Sequence, residues 1–186
     1  MKVLQPRILP EDIAPLAIQS CRSCELCRHK NRLIWGEGNP KASILVVLDN
    51  PGAREDKDGK PFLCGTRGTL QKAAYEVGLS PNDFYITFIL KCRPRKAYDK
   101  PIARSTCIKY LWDQLKTINP EIVLCLGNIV CQTFFEDPTV EVKKIRGRIH
   151  QVRGYSVVAS YHPLAVRRRP VLYKLFVADW ELAARR

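Results

Sequence analysis

Four short apolar runs, each followed by a stretch long enough for a helix, constrain this chain more than any other feature. They fall at residues 43–48, 84–90, 122–126 and 157–160. Runs rich in Val, Ile and Leu are strands buried on both faces, and strands alternating with helices build a mainly parallel sheet covered on both sides. Helical spacing places the covering elements at residues 68–77, 101–117, 128–135 and 171–184. The expected fold is therefore α/β, a three-layer α/β/α sandwich with a central, mainly parallel, four-stranded sheet. A chain of 186 residues with 46% hydrophobic content can bury one sizeable core, so a single domain over 1–186 is expected. Residues 11–20 also have helical spacing, and 21–39 form a loop-rich stretch punctuated by Cys, Gly and Pro.

The first run ends in a turn dense with polar residues, Asp49, Asn50, Pro51 and Gly52. In open α/β sheets, ligands bind in the crevice at the carboxyl ends of the strands. Asp49 and Asn50 are thus the first candidates for chemistry. The same residue types also hydrogen-bond their own turn backbone well, and the turn alone favours that plainer role.

The 31 Lys and Arg against 18 Asp and Glu give a formal charge of +13, which attracts polyanions. The charge is clustered in Lys91, Arg93, Arg95, Lys96 and Lys100, in Lys143, Lys144, Arg146 and Arg148, and in Arg167, Arg168 and Arg169. Any one cluster is ordinarily a solvated surface, whereas three with few interleaved acids read as a phosphate-binding face. DNA is the leading partner. No apolar run is long enough to span a bilayer and no secretory h-region follows the N-terminus, so a cytoplasmic location is expected. A monomer is also expected.

Reduced thiols are the rule in that compartment, so eight cysteines point to ligation plus buried free thiols. Cys21 and Cys24 form a C-x-x-C pair, Cys92 lies in KCRP, and Cys107 opens an apolar helical run. A C-x-x-C bend lets two thiolates meet one metal or cluster, and two distant thiolates complete a set of four. Spacing leaves zinc and iron–sulfur both open, and leaves Cys27 as a rival ligand. Cys64, Cys125 and Cys131 read as small buried hydrophobes.

The order of motifs resembles the uracil-DNA glycosylase superfamily, in its iron–sulfur branch called family 4. The resemblance runs from CRSC and WGEGNP through LDNPGAREDKDGKPF, YITFILKCRP, NPEIVLCLG and IRGRIH to YHP and the basic stretch after it. It implies a monofunctional DNA N-glycosylase that flips a base and hydrolyses its N-glycosidic bond. It also implies a [4Fe-4S] cluster on Cys21, Cys24, Cys92 and Cys107, with Cys27 spare. His162 would donate to the leaving base, and Asn50 and Asp49 would position and polarise water, their roles being exchangeable. Phe62, Phe88, Pro51 and Gly52 would form the base pocket. The stretch HPLAVRRRP would enter DNA, with Leu164 or Val166 as a wedge and Arg167, Arg168 and Arg169 on phosphates.

Two departures from the family bear on the base. The turn reads Leu48-Asp49-Asn50-Pro51-Gly52 where family 4 has Gly-Glu-Ala/Gly-Pro-Gly, and Phe88 stands where the family has the Asn that reads uracil. Cys64 and Arg67 also replace small residues. A changed base reader alters discrimination. The expected base is therefore uracil or, preferred on these departures, a modified or damaged one. The alternatives are a hypermodified phage cytosine excised in antiviral defence, an idle DNA-binding descendant, and a structural zinc or iron–sulfur protein.

Overall fold

All four apolar runs form strands, and they sit side by side in parallel at the centre of the sheet. The structure is a computed structural model that describes residues 4–53, 55–56 and 63–185. In chain order its elements are β1 (Glu11–Asp12), α1 (Leu16–Gln19), β2 (Gly36–Gly38), β3 (Ile44–Leu48), α2 (Gly65–Glu76), β4 (Phe84–Phe88), α3 (Lys100–Ile118) and β5 (Ile122–Leu126). There follow α4 (Asn128–Phe135), α5 (Val142–Ile145), β6 (Ile149–Val152), β7 (Tyr155–Ser160), α6 (Pro163–Arg168) and α7 (Tyr173–Ala184).

The sheet has seven strands rather than the expected four, in the order β1-β2-β4-β3-β5-β7-β6. The parallel core β4-β3-β5-β7 is the expected set, and the three additions are antiparallel strands at its edges. These were hidden because they are short or half polar. β6 joins β7 through Arg153 and Gly154, both at positive φ, as a two-residue hairpin requires. Residues 11–20 are not one helix: Pro10 and Pro15 flank the two-residue β1, and only Leu16–Gln19 is helical.

Alternate residues of each central strand face opposite layers. Ile44, Val46, Leu48, Ile86, Phe88 and Leu124 pack with Leu70 and Ala74 of α2 and with Phe176 and Trp180 of α7. Leu45, Val47, Tyr85, Val123 and Cys125 pack with Leu111 and Leu115 of α3 and with Val130 and Phe134 of α4. That is the expected three-layer sandwich. Asp179 of α7 is buried; it takes hydrogen bonds from Ser160 Oγ (2.6 Å) and Arg146 Nη2 (2.7 Å), clamping α7 to the end of β7.

After β3 the chain crosses one face to β4 on one side, then crosses the other face to β5 on the opposite side. The reversal leaves a crevice at the carboxyl ends of β3 and β5.

Candidate active site

A cavity of about 400 Å³ occupies that crevice. Leu48, Asp49, Asn50 and Gly52 line it from the β3 turn, Gly127 and Asn128 from the end of β5, Glu55, Thr66 and Arg67 from the loop and helix after β3, and His162 and Leu164 from the end of β7. Three separate chain segments flagged in the sequence therefore meet, as parallel strands ending at one edge require.

His162 caps α6, its Nδ1 accepting the Leu164 N–H at 3.1 Å. A neutral ring that accepts at Nδ1 carries its proton on Nε2, which makes Nε2 a donor. Burial, and then the charge of Arg67, pushes the His162 pKa down to about 4, so the ring is neutral at physiological pH. Gly127 makes this placement feasible. It has φ +99°, and a Cβ there would stand 3.1 Å from the His162 Cβ.

Asn50 Nδ2 donates to the Pro51 carbonyl at 2.8 Å, so half of the amide serves the turn. Its Oδ1 has no hydrogen-bond partner among the described residues and is left to accept. Asp49 Oδ1 lies 3.7 Å from Arg104 Nε without a hydrogen bond. Burial raises the Asp49 pKa, and Arg104 and Lys100 pull against the rise.

Phe88 is not in the cavity wall. It is 1% exposed in the core, and the Arg67 guanidinium carbon sits over its ring, 5.2 Å from the centroid. Arg67 takes the wall position instead. The sequence reading began α2 at residue 68, but the helix starts at Gly65 and carries Arg67 in its first turn. Arg67 Nε is ion-paired with Glu37 of β2, and Nη2 lies 3.7 Å from Glu55. Cys64 is half-buried rather than a core thiol, and its Sγ donates to Glu55 at 3.1 Å. Pro51 is buried and does not line the cavity, whereas Gly52 does. Phe62 lies outside the described residues.

Comparison with known proteins identifies the scaffold. The family described as Uracil DNA glycosylase superfamily matches residues 35–183. The chain belongs to the uracil-DNA glycosylase superfamily. A type-4 uracil-DNA glycosylase of Archaeoglobus fulgidus is 36% identical over 88% of this chain and 86% of the relative. One of Thermotoga maritima is 30% identical over 92% of each. A type-5 uracil-DNA glycosylase of Pyrobaculum aerophilum is 26% identical over 74% of this chain and 70% of the relative. The protein is accordingly a hydrolytic DNA glycosylase, and DNA is its substrate.

On this glycosylase, the segment after His162 has one inward and one outward face. Leu164 is 37% exposed at the cavity rim. Val166, expected at the DNA, is 2% exposed and belongs to the core, because α6 turns Pro163 and Val166 inward together. Arg167, Arg168 and Arg169 are exposed. The Arg167 guanidinium lies against Gly65 so closely that an added Cβ would come within 2.4 Å of it.

Two cluster residues leave the phosphate-binding set. Arg146 is committed to Asp179. Lys91 is wholly buried, its Nζ donating to Thr87 Oγ1 (2.6 Å), the Phe88 carbonyl (2.9 Å) and Gln114 Oε1, and burial lowers its pKa to about 7. Arg95, Lys96, Lys100, Lys143, Lys144 and Arg148 are exposed.

Cys21, Cys24, Cys92 and Cys107 line a second pocket, with Cys27 also at its wall. Burial pushes the Cys92 thiol up to about 12 and raises Cys107 and Cys24 as well. Cys107, Cys24 and Cys21 each add to the electrostatic load on Cys92, and Cys21 and Cys27 to that on Cys24. Among the described residues, no group of three or more His, Cys, Asp or Glu is arranged to hold a metal ion. Cys125 and Cys131 are core thiols, as expected.

Proposed function

We propose that this glycosylase removes uracil from DNA, using His162 on the departing base and Asn50 with Asp49 on the attacking water. The observation that carries the reading is the neutral His162 with its Nε2–H on the cavity that the Asn50 turn also lines. The bond from C1′ to the base nitrogen breaks with its electron pair leaving on the base, and the sugar becomes cation-like. A neutral N–H near the base carbonyl stabilises the anion without first protonating it. Asn50 Oδ1 accepts a hydrogen bond from water and orients it at C1′. An amide suits this role, because attack on a cation-like sugar needs orientation more than early deprotonation. The Asp49 carboxylate stabilises the cation and takes the proton as water adds.

The preference for a modified base rested on losing an amide reader at position 88. Two observations favour uracil instead: the relatives are named uracil-DNA glycosylases, and a polar group, Arg67, occupies the wall in front of Phe88.

Cys21, Cys24, Cys92 and Cys107 would hold a [4Fe-4S] cluster, with Cys27 outside the set. What supports this set is that all four thiols line one small pocket, two from the C-x-x-C bend and two from distant segments of the chain. Bound, it would tie the N-terminal loop to the β4–α3 connection and take no electrons in the reaction.

Base release by mass spectrometry tests the function on separate DNAs carrying uracil, hypoxanthine, xanthine, or hydroxymethylated or glucosylated cytosine. Uracil release is expected. Release of a modified cytosine alone, or of no base, would refute the reading.

A further inference from the structure

The base-excision reading leaves the guanidinium in the cavity wall, Arg67, without a role. Arg67 is 5% exposed, and its Nη2 is buried with no hydrogen-bond partner among the described residues. Its guanidinium is held from three directions, by Glu37 at Nε, by Glu55 at 3.7 Å from Nη2, and by the face of Phe88. A side chain so anchored is positioned rather than merely accommodated. It lines the same cavity as His162 and Asn50, which attend to the sugar end of the flipped base.

We propose that Arg67 reads the base: its guanidinium donates to the carbonyl oxygen on the edge away from the sugar and turns away a base carrying an amino group there. This deepens the proposed function and rests on it. A guanidinium has donors and no acceptor. Uracil presents a carbonyl at that edge, whereas cytosine presents an N–H₂, and two donors facing each other leave both buried and unpaired. The contact also strengthens during reaction. As the glycosidic bond breaks, negative charge spreads to both carbonyl oxygens of uracil, so a cation at the far oxygen and His162 at the near one stabilise the transition state more than the ground state. Hypoxanthine presents the same kind of carbonyl in place of adenine's amino group. The substrate class is thus the keto base that deamination creates, selected by a cation rather than an amide.

The test measures single-turnover base release by the full chain and its R67Q and R67K variants, with binding to DNA containing a tetrahydrofuran abasic site as the control for folding. R67Q should release uracil at least ~100-fold more slowly while binding abasic DNA within about threefold of the unsubstituted protein. It should also release cytosine above the unsubstituted level, because the Gln carbonyl accepts from an amino group, a gain that structural damage would not produce. R67K, which keeps the charge but not the fork, should fall between. A folded R67Q that releases uracil within threefold of the unsubstituted rate overturns the proposal. A measurement needing no variant keeps it falsifiable if neither folds: free uracil should inhibit at least ~10-fold better than pyrimidin-2-one, which lacks the far carbonyl, and equal inhibition overturns it. Failure of the unsubstituted protein to release any base would overturn the excision reading itself, whereas uracil release with an indifferent R67Q overturns only the role of Arg67.

Discussion

The cavity at the end of β3 and the cysteine pocket beside α3 both bury polar groups, and they solve the problem in opposite ways. In the cavity three polar side chains are anchored by protein: His162 by the Leu164 N–H, Asn50 by the Pro51 carbonyl, and Arg67 by two carboxylates. These three side chains are held in place before DNA arrives, as electrostatic catalysis requires. The cysteine pocket instead gathers thiols of which three, Cys92, Cys107 and Cys24, are pushed by burial away from the thiolate that a ligand would need, whereas Cys21 is lowered despite its burial by hydrogen bonds with Ser23 and Tyr110. A cationic group bound there would relieve that strain, and its binding would then be part of the folding free energy. Losing a group should therefore unfold one region and merely disable the other.

The largest effect is expected where the comparison is sharpest. Cys92→Ser should abolish visible absorption and lower the thermal midpoint by at least ~10 °C, in keeping with the stability a bound structural group supplies. Cys27→Ser should do neither. An unchanged spectrum in Cys92→Ser would dissolve the contrast. His162→Ala is the counterpart in the cavity. Base release should fall by roughly 10²- to 10⁴-fold, with DNA affinity close to unchanged, and a parallel loss of affinity would make His162 a binding rather than a catalytic group.

The pH dependence sharpens the same contrast. His162 has a folded pKa near 4, below its ordinary value near 6.5. Between these values the unfolded chain takes up a proton that the folded protein refuses. The stability linked to His162 is therefore full above about 6.5 and is lost as pH falls toward 4. Catalysis needs the neutral ring, so single-turnover rates on uracil DNA should show no histidine step near pH 6.5. A step there would mean that His162 is more solvated than its surroundings imply.

The parts of the molecule legible in the sequence are those where composition and periodicity coincide. The strands β3, β4, β5 and β7 are apolar on both faces, so their pattern survives without tertiary context, and their shared carboxyl edge placed Asp49, Asn50 and His162 together. The edge strands β1, β2 and β6 escaped notice because strands of two or three residues, or strands with alternate residues exposed, lack that pattern. Arg67 was seen only as a departure. The helix was expected from residue 68, so the first turn that carries Arg67 to the cavity wall, from Gly65, fell outside the expected range. Lys91 and Val166 erred for the complementary reason, since charge and hydrophobicity do not reveal which side chains a turn or short helix points inward.

The smallest predicted effect separates the DNA surface from both pockets. Arg168 is exposed on α6, next to a core-facing Val166 and near the rim residue Leu164. If it meets a phosphate, Arg168→Ala should weaken binding only severalfold and lower the slope of log affinity against log salt by about 1. Single-turnover release at saturating enzyme should stay unchanged, because neither the His162 ring nor the Asn50 turn depends on that guanidinium. Arg146→Ala provides the opposing case within the same basic composition. Its charge is spent on the buried Asp179, so its removal should lower thermal stability and leave the salt slope intact. Titrations of both variants at several salt concentrations distinguish a basic residue that faces DNA from one that holds the fold, and an altered slope in Arg146→Ala would place the IRGRIH segment back on the phosphate-binding face.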